Sequence, residues 1–561
     1  MTETAAPTTT AGRRARLPPP TIAPPREREL GVRALRTGVA ALVVAEAAFL
    51  VLRLAAWPPH EDEALALVVG SRSLPDLLGT VLGERGGAPL HFLLAWVVAH
   101  LGGGFTELRL VSAILALAAL PLVAVLAARL AGRTVALVAV ALVSGSWMLL
   151  FHGLYGRMYS LFLVTSLLSY LALGAALRDG GKRRWALWVA ATLLTLAAHP
   201  YGALVLASQG LYVLLTRERV REALAAAGVL LVLATPLWYA DLVLAGRFDV
   251  GVGGGGERLG GPLGVLGYLA RVAGDFTVGW PPALAVILLA AAGGFRLLAR
   301  RNGRGALLIG AVFLIPAIAL FAARLGGTTS PETRHLIFAL PFFATLVATA
   351  LVWAARRLRA GPAPVVLAIV ALFAGEITWA AARTPLLFTG EPPAHAEGRA
   401  AAAAWLAETG RPNDVLLGYE PVFVAAWSRG GRLSRRILPR ADARLAAEEL
   451  RRAPLPLGRG VWLFDAYDTN NLVQRLSTPR HRPRPAGEYE ARAFGPLLVV
   501  RTRLPVRTPG RYLRAAAAAQ IAGYWLDNGD ADVNFATVDG AARRLGYGVR
   551  TSASSRSTAS R

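Results

Sequence analysis

The sequence predicts an α-helical polytopic membrane protein of about eleven transmembrane helices, followed by a C-terminal α/β domain. Hydrophobic residues make up 55% of the 561 residues and charged residues only 17%, whereas a soluble protein carries about 25% charged residues. Apolar runs of about 20 residues, the length that crosses a bilayer, recur between residues 36 and 382. From about residue 385, prolines and short strand patterns replace these runs, which indicates a separate domain.

The composition excludes several kinds of site. The chain has no cysteine, so disulfides, iron–sulfur clusters and thiolate metal sites are excluded. The eight histidines show no HxH or HExxH spacing, and we predict no metal and no cofactor. A net charge of +25 could indicate nucleic acid, but the arginines form short clusters between apolar runs, as topology signals do. We therefore predict that the chain is embedded in a lipid bilayer and does not bind nucleic acid.

The predicted membrane domain covers residues 36–384, with a first outer loop at 58–106. Residues 1–35 begin with a stretch rich in proline, threonine and arginine and are expected to form a disordered cytoplasmic tail. The candidate spans are 36–57, 107–129, 134–153, 156–177, 184–199, 200–216, 222–244, 280–298, 305–323, 335–354 and 362–382.

The arginine clusters predict the orientation of these spans, because cytoplasmic loops are enriched in Lys and Arg. The apolar segment 88–104 is short and carries His91 and His100. If this segment does not cross the membrane, every basic cluster falls on the same side as the N-terminus. We therefore expect it to lie at the outer interface, with the N-terminus in the cytoplasm and the C-terminal domain outside. All eight histidines then lie outside or at the outer ends of spans.

The C-terminal domain is predicted at residues 385–548. A helical stretch, "AEGRAAAAAWLAET", precedes strand patterns at 414–420, 460–467 and 494–503, and helical patterns follow at 510–525 and 537–545. Strands that alternate with helical stretches are typical of a small α/β domain. Residues 549–561 are of low complexity and are expected to be disordered.

Three acidic residues, Glu61, Asp62 and Glu63, follow the first predicted span in "PPHEDEA". One interpretation is a solvated helix start, where the macrodipole favours acids. The other is a catalytic carboxylate at the membrane surface, which accepts a proton from a nucleophile. Adjacent helical residues diverge by roughly 100°, so only one of Asp62 and Glu63 can face a given reacting atom.

Two arginines lie outside the basic clusters, at predicted outer ends of spans: Arg157 in "LYGRMYS" and Arg334 in "PETRH". A guanidinium in this position can hold a phosphate with two hydrogen bonds, or it can extend to lipid headgroups. The tight "HPYGA" hairpin at His199 and Tyr201 leaves a similar choice between a structural cap and a part in a site.

The order of these motifs resembles the GT-C membrane glycosyltransferases. The motifs are "DEA" after the first span, "GGAPLHFLL", "ELRLVSAILALAALPLVAVLAARLAG", "GRMYSLFLV", "HPYGALVLASQ" and "RHLIFALPF", within residues 36–354. More narrowly, they resemble bacterial relatives of polyprenyl-phosphate-mannose protein mannosyltransferases and of aminoarabinose transferases. The resemblance implies transfer of a sugar, mannose or a pentose such as arabinose, from a polyprenyl-phosphate donor. The acceptor would be an extracytoplasmic cell-wall glycan, lipid or protein. The mechanism would invert the anomeric centre and would not need a metal ion.

The resemblance also implies that the protein lies in the cytoplasmic membrane of a bacterium, and it implies roles for particular residues. Asp62 matches the first-loop aspartate and is the expected base, with Glu63 beside it. Arg157 and Arg334 are expected to bind the donor phosphate. The expected substrate-binding residues are His91, Tyr155, Tyr159, His199, Tyr201, Glu332 and His335. Departures from the family pattern include His91 and His335, each in place of a tyrosine, and Tyr155 in place of an acid.

Two other functions stay open from the sequence. A transporter or flippase for a lipid-linked sugar needs polar residues within the spans, and Glu46, Asp241 and Glu376 are the candidates. A non-catalytic scaffold of the cell envelope does not need acids and arginines together on one face.

We predict that cysteine introduced at Lys182 is protected from an impermeant thiol reagent in intact cells, whereas cysteine at Ala400 is labelled. The physical reason is that only this orientation places all arginine clusters in the cytoplasm. The chain has no native cysteine, so each variant reports a single position. Labelling at position 182 from outside would overturn the orientation.

Overall fold

A computed structural model defines the fold. It describes residues 29–247, 261–324, 331–357, 362–430, 436–440, 442–465, 488–523 and 530–547. The predicted tail at 549–561, residues 1–28 of the predicted N-terminal tail and most of the glycine-rich stretch after residue 246 lie outside these ranges.

The chain begins with one long helix and four short elements. The helices are α1 (Val32–Arg53), α2 (Glu61–Gly70), α3 (Leu74–Leu78) and α4 (Pro89–His100), with a π-helical segment, Gly79–Arg85, before α4. Helix α4 has 12 residues. At 1.5 Å per residue it covers about 18 Å, which is less than the ~30 Å of a bilayer core. This length is compatible with the predicted interfacial position of segment 88–104.

Helices continue to residue 389. They are α5 (Phe105–Ala131), α6 (Arg133–Gly145), α7 (Trp147–Leu154), α8 (Tyr159–Asp179), α9 (Lys182–Ala198), α10 (Gly202–Thr216), α11 (Val220–Leu233), α12 (Thr235–Arg247), α13 (Pro262–Phe276), α14 (Pro281–Arg301), α15 (Gly303–Arg324), α16 (Leu340–Arg357), α17 (Pro362–Arg383) and α18 (Leu386–Thr389). A 3₁₀ segment, Thr333–Ala339, leads into α16.

Seven segments in the described ranges are long and apolar enough to cross a membrane: α1, α5, α8, α14, α15, α17, and α16 with its 3₁₀ start. The number is nine if the bent pairs α6–α7 and α11–α12 each form one span. The chain thus has the architecture of a multi-pass membrane protein. The prediction of eleven spans also counted α9 and α10, which have 17 and 15 residues. Both are shorter than the usual ~20 residues, so eleven stays a prediction.

Small residues let the membrane helices pack closely. At the crossing of α14 and α16, a Cβ on Gly294 would lie 2.0 Å from the carbonyl oxygen of Leu346. Only glycine allows this approach. Apolar side chains on the outer surface of α1, such as Val51 and Leu52, are 67% and 76% exposed, as expected for a surface that faces lipid.

The last part of the chain forms a five-stranded sheet with helices on both faces. Its elements are α19 (Pro393–Thr409), β1 (Val415–Leu417), α20 (Pro421–Gly430), β2 (Ile437–Leu438), α21 (Ala443–Arg452), β3 (Gly460–Asp465), β4 (Tyr489–Phe494), β5 (Leu497–Thr502), α22 (Pro509–Gly523) and α23 (Asp530–Arg544). The strand order is β2-β1-β3-β5-β4. β1 is parallel to β2 and β3, whereas β5 is antiparallel to β3 and β4.

The sequence patterns predicted three of these five strands. β2 has only two residues, and β4 is an edge strand whose middle residues are exposed. Neither has the apolar run that marks a buried strand. The stretch "PVFVAAW" forms helix α20. The domain limits 385–548 stay a prediction.

One face of the sheet shares its apolar core with the first outer loop. Leu67 and Val69 of α2 and Phe92 of α4 belong to the same buried cluster as Val461 and Val499 of the sheet. Ion pairs join the same two parts: Arg440 contacts Glu61 at 3.4 Å, and Arg452 contacts Glu84 at 2.6 Å. The outer loop and the C-terminal part therefore form one packed unit.

A histidine between two carboxylates connects α19 to the sheet. His395 Nδ1 contacts Glu391, and its Nε2 lies 2.8 Å from Asp465 Oδ2 at the end of β3. Both ring nitrogens can donate to these oxygens only when the imidazole is protonated. Burial lowers the pKa of His395, but the hydrogen bonds with Asp465 and Glu391 outweigh it and raise the pKa to about 9.

We predict that this contact makes stability fall in alkaline solution. Because the pKa of His395 is higher in the folded protein, its protonation adds to the free energy of unfolding. This contribution is fully present below the ordinary value of 6.5 and is lost as pH rises through about 9. Each pKa unit corresponds to about 1.4 kcal/mol, so the rise from 6.5 to about 9 corresponds to a loss of about 3 kcal/mol. Tm measured between pH 6.5 and 9.5 in detergent should decrease in the wild type and stay flatter in His395→Gln. His100→Gln, at an exposed histidine, is the control; equal slopes in all three proteins would contradict the prediction.

Candidate active site

The acidic stretch after α1 forms the capped start of helix α2. His60 is the N-cap: its Nδ1 accepts a hydrogen bond from the Asp62 N–H at 3.1 Å. The His60 N–H in turn donates to Glu63 Oε2 at 3.0 Å, which completes a capping box. Pro58 and Pro59 precede the cap and favour extended backbone up to it. The first turn of α2 is therefore locally fixed, and its carboxylates have defined directions.

Glu63 is fully buried and binds Arg109 of α5 through two parallel hydrogen bonds. Arg109 Nε donates to Oε1 at 2.8 Å, and Nη2 donates to Oε2 at 2.7 Å. Arg109 also donates to the carbonyl oxygens of Leu54, Trp57 and Pro58. These contacts engage all five N–H donors of the guanidinium. The stretch is thus not a solvated helix start.

The same carboxylate holds the segment that follows α7. The Gly156 N–H donates to Glu63 Oε1 at 2.8 Å. A Cβ on Gly156 would lie 2.9 Å from this oxygen and 3.0 Å from Leu108, so glycine permits the close approach. Glu63 therefore fixes Tyr155 and Arg157, the neighbours of Gly156, relative to the start of α2.

Asp62 points away from Glu63, toward the residues around Gly156. Tyr155 donates its hydroxyl hydrogen to Asp62 Oδ2 at 2.9 Å, and Arg157 Nη1 lies 3.5 Å from Oδ1. The Asp62 side chain is 25% exposed. Burial raises the pKa of Asp62, but Arg157, His60 and Arg334 outweigh it and hold this pKa well below its usual range. Asp62 is therefore an ionised carboxylate that a substrate can reach.

Arg157 and Arg334 lie on the same side of the site, and both retain unused hydrogen-bonding capacity. The Nε atoms of both are buried and make no hydrogen bond to any described residue. Arg334 pairs with Glu332, and its guanidinium lies 5.2 Å from the ring centroid of Tyr159 and 5.9 Å from that of Tyr155. Two cations with buried free donors form an anion-binding arrangement.

Aromatic rings form the wall beside Arg334. The His335 ring lies 4.8 Å from that of Tyr201 and 5.4 Å from that of His199. Tyr159 lies 5.6 Å from His199 and 4.6 Å from His152. His199 Nδ1 accepts from the Tyr201 N–H at 3.0 Å, so the "HPYGA" hairpin has a cap and also contributes to this wall.

His91 on α4 closes another side of the site. Its Nε2 is buried and has no hydrogen-bond partner in the described part of the chain. Burial, together with Arg157, lowers the pKa of His91 to about 3, although Asp62 acts in the opposite direction. A neutral histidine near Asp62 and Arg157 can donate or accept one hydrogen bond toward a substrate.

The structure brings the predicted site residues together, although their pairing was not predicted from the sequence. Contacts link Asp62, Arg157, Arg334 and the predicted residues Tyr155, Tyr159, His199, Tyr201, Glu332 and His335 in one cluster, whereas Glu63 faces Arg109. His91 lies within the electrostatic reach of Asp62 and Arg157. Sequence reasoning did not identify His60, Arg109 or His152. Arg109 carried the same signal as Arg157, a lone arginine near the outer end of an apolar helix. His152 is completely buried, and neither ring nitrogen has a hydrogen-bond partner among the described residues.

A buried aspartate supports the segment that carries Arg334. Thr333 donates its hydroxyl hydrogen to Asp275 Oδ2 at 2.6 Å, and Arg383 Nε contacts Oδ1 at 3.3 Å. Asp275 ends α13 and Arg383 ends α17, so this contact fixes the start of the 3₁₀ segment between two other helices.

An apolar cavity of about 450 Å³ lies between α13, α14, α15, α16 and the 3₁₀ segment. Leu336, two residues after Arg334 in sequence, is part of its wall, and other wall residues include Val272, Phe276, Ala291, Phe295 and Phe313. The apolar wall makes the cavity suited to hydrocarbon.

Within the described ranges, no group of three or more His, Asp or Glu side chains is arranged to hold a metal ion. The absence of a metal from the mechanism stays a prediction.

No family model and no curated protein sequence matches the chain. Solved structures are similar to it. ArnT from Cupriavidus metallidurans, bound to undecaprenyl phosphate, aligns over 83% of this chain and 98% of its own, with 14% identity and a TM-score of 0.49. The Archaeoglobus fulgidus oligosaccharyltransferase aligns over 76% of this chain and 68% of its own, with 14% identity and a TM-score of 0.47. The mycobacterial arabinofuranosyltransferase AftD aligns over 84% of this chain and 40% of its own, with 16% identity and a TM-score of 0.49. All three are GT-C superfamily glycosyltransferases, the group that the sequence motifs resemble.

Proposed function

We propose that this protein is a membrane glycosyltransferase that transfers a sugar from a polyprenyl-phosphate donor to an acceptor outside the cytoplasm. One observation carries the proposal: the accessible carboxylate of Asp62 contacts Arg157, and the buried Nε donors of Arg157 and Arg334 have no acceptor among the described residues. An apolar cavity between the membrane helices is the second element. A base, an anion site and a hydrocarbon site are the three features that a lipid-phosphate sugar donor and a hydroxyl acceptor need.

Arg157 and Arg334 are proposed to bind the donor phosphate. Their buried Nε atoms offer hydrogen bonds that no described residue accepts. A phosphate oxygen is a strong acceptor, and charge-assisted hydrogen bonds to it are about twice as strong as neutral ones. The same contacts stabilise the charge that develops on the phosphate as the bond to the sugar breaks.

Asp62 is proposed to be the base for the acceptor. In the free protein the two arginines stabilise its anion, which makes it a weak proton acceptor. A bound phosphate shares the charge of both arginines, so the basicity of Asp62 rises when the donor is present. Proton removal from the acceptor is therefore favoured only in the donor complex, which limits unproductive chemistry.

The cavity beside Leu336 is proposed to bind the lipid part of the donor. The wall includes the membrane helices α13, α14, α15 and α16, so the donor would enter from within the bilayer. Its chain then leaves hydrocarbon and not water, and the gain comes from van der Waals packing against the wall. We propose that a polyprenyl chain in this cavity places its phosphate toward Arg334, two residues from Leu336.

The sugar, the acceptor and the cellular location are further parts of the proposal. The ring wall of Tyr159, Tyr201 and His335 suits the flat faces of a sugar, either mannose or a pentose such as arabinose. The acceptor is a cell-wall glycan, lipid or protein on the outer face of a bacterial cytoplasmic membrane. Incubation of purified protein with a mannosyl or arabinosyl polyprenyl phosphate tests transfer, and mass spectrometry of lipids and glycans from a deletion strain identifies the natural product.

A flippase or a scaffold accounts less well for this site. Asp62 lies on the short helix α2 outside the spans, where a transport path does not need it. If the purified protein releases no polyprenyl phosphate from either donor and the deletion strain keeps all its glycans, the glycosyltransferase proposal fails.

Arg157→Lys and Arg334→Lys are each predicted to raise the KM for the donor about tenfold. Lysine keeps the charge but loses the Nε–H donor and the planar fork. Initial rates over a range of donor concentration measure the change. Arg72→Lys, on the same outer loop but in contact with Thr80 and Glu449, is the matched control. Unchanged KM and kcat in both test variants would assign these arginines to lipid headgroups.

Asp62→Asn is predicted to reduce kcat by about 10²–10⁴-fold with folding and donor binding retained, because the amide cannot take the acceptor proton. Glu61→Gln, one position earlier on α2, is the matched control and should transfer sugar normally. Single-turnover rates and a donor-binding assay measure the two effects separately.

Glu63→Gln is predicted to act mainly on stability, by about 3 kcal/mol, since it leaves the Arg109 charge buried without a counterion. Its transfer rate per folded molecule should fall less than that of Asp62→Asn. If Glu63→Gln is inactive at wild-type Tm while Asp62→Asn is active, the base is Glu63 instead.

A further inference from the structure

We propose that Tyr155 and His60 form a proton path that restores Asp62 to its carboxylate form after each transfer. The proposal rests on the proposed function, in which Asp62 takes the proton of the acceptor hydroxyl. It assigns a role to His60, which neither the sequence motifs nor the proposed donor contacts require.

The contacts around Tyr155 carry this inference. Its hydroxyl oxygen lies 2.9 Å from Asp62 Oδ2 and 2.9 Å from His60 Nδ1. A phenol has a single hydrogen, so it can donate to only one of these two acceptors at a time. The Asp62 N–H points at His60 Nδ1 from 3.1 Å, and we assign His60 the Nε2–H tautomer on this contact. Tyr155 therefore lies between two proton acceptors, Asp62 Oδ2 and His60 Nδ1.

The path is continuous when Asp62 is protonated. The Asp62 O–H bond breaks as its proton moves to the Tyr155 oxygen, and the phenolic hydrogen moves to His60 Nδ1. Asp62 is then a carboxylate again, Tyr155 is a neutral phenol, and His60 is an imidazolium. A water molecule that enters as the product leaves then takes the hydrogen from Nδ1, which restores the lone pair that accepts from the Asp62 N–H. The His60 side chain is 14% exposed, which gives it access to water.

The path matters because the substrates occupy the other approach to Asp62. Oδ1 faces Arg157, and this is the side on which the donor phosphate is proposed to bind. Oδ2 faces Tyr155. With donor and acceptor in place, the Tyr155 side is the route by which a proton can leave without crossing the phosphate site.

Several charged and polar groups lie around His60. They are Glu61, Asp62 and Glu63 on α2, Arg109 on α5, Tyr155 and Arg157 after α7, and Arg440, which contacts Glu61 from the C-terminal part. His60→Asn leaves all of them unchanged, and Tyr155→Phe removes only the hydroxyl of Tyr155.

His60→Asn separates the proton path from the structural cap. Asparagine is among the best N-cap residues, so the start of α2 is retained, but its side chain cannot take up a proton at neutral pH. Tyr155→Phe removes the hydroxyl from the middle of the path and keeps the ring. Tm and donor KM are measured for both variants, together with kcat as a function of pH and in H₂O and D₂O.

We expect His60→Asn to lower kcat by about 100-fold, at the lower end of the range of proton-transfer contributions, at wild-type Tm and donor KM. The solvent isotope effect on kcat should increase, because proton release becomes rate-limiting. Tyr155→Phe should show the same increase in isotope effect.

The path is overturned if His60→Asn keeps the wild-type kcat, pH profile and isotope effect. It is also overturned if kcat falls equally at every pH with an unchanged isotope effect, since that pattern indicates a structural role. Asp62→Asn separates this result from a failure of the proposed function. If Asp62→Asn transfers sugar normally, the base assignment itself is wrong; if it is inactive while His60→Asn is normal, only the proton path is wrong.

Discussion

The buried ion pair between Glu63 and Arg109 is the contact on which the site depends. It joins the exit of α1, the start of α2, helix α5 and the segment at Gly156 in one network of hydrogen bonds. A buried pair of this kind contributes little net stability, because both charges lose their hydration. Its value here is geometric: it fixes the direction of Asp62 and the position of Arg157, which lie on different segments of the chain.

The electrostatics of the site follow from that placement. Asp62 lies in the field of two arginines, so it is ionised but weakly basic until another anion shares them. Donor binding and base strength are thus two aspects of one charge balance. This arrangement also explains why the arginines retain buried Nε atoms without partners: a fully satisfied guanidinium, like that of Arg109, could not bind a phosphate without losing existing hydrogen bonds.

Much of this arrangement follows from sequence, and the rest depends on long-range contacts. Helix lengths and the positions of lone arginines place Asp62, Arg157 and Arg334 on one face. The partner of Glu63 could not be predicted, because Arg109 lies 46 residues away and pattern reasoning treats each segment alone. Helices α9 and α10 show a different effect: the sequence patterns counted both as spans, but they have 17 and 15 residues, fewer than the ~20 of a usual span. Edge strand β4 has no hydrophobic run and therefore no sequence signal.

The core shared by the first outer loop and the C-terminal sheet has a consequence for biosynthesis. Helix α2 is made early, yet residues that bury its apolar side, such as Phe423 and Val461, are made after every membrane helix. Contacts between such distant segments form late, and apolar surface that waits for its partner is prone to aggregation. Helix α2 therefore reaches its final environment only when the last part of the chain has been made and folded. An incomplete chain would leave the start of α2, and with it Asp62, outside its final packing.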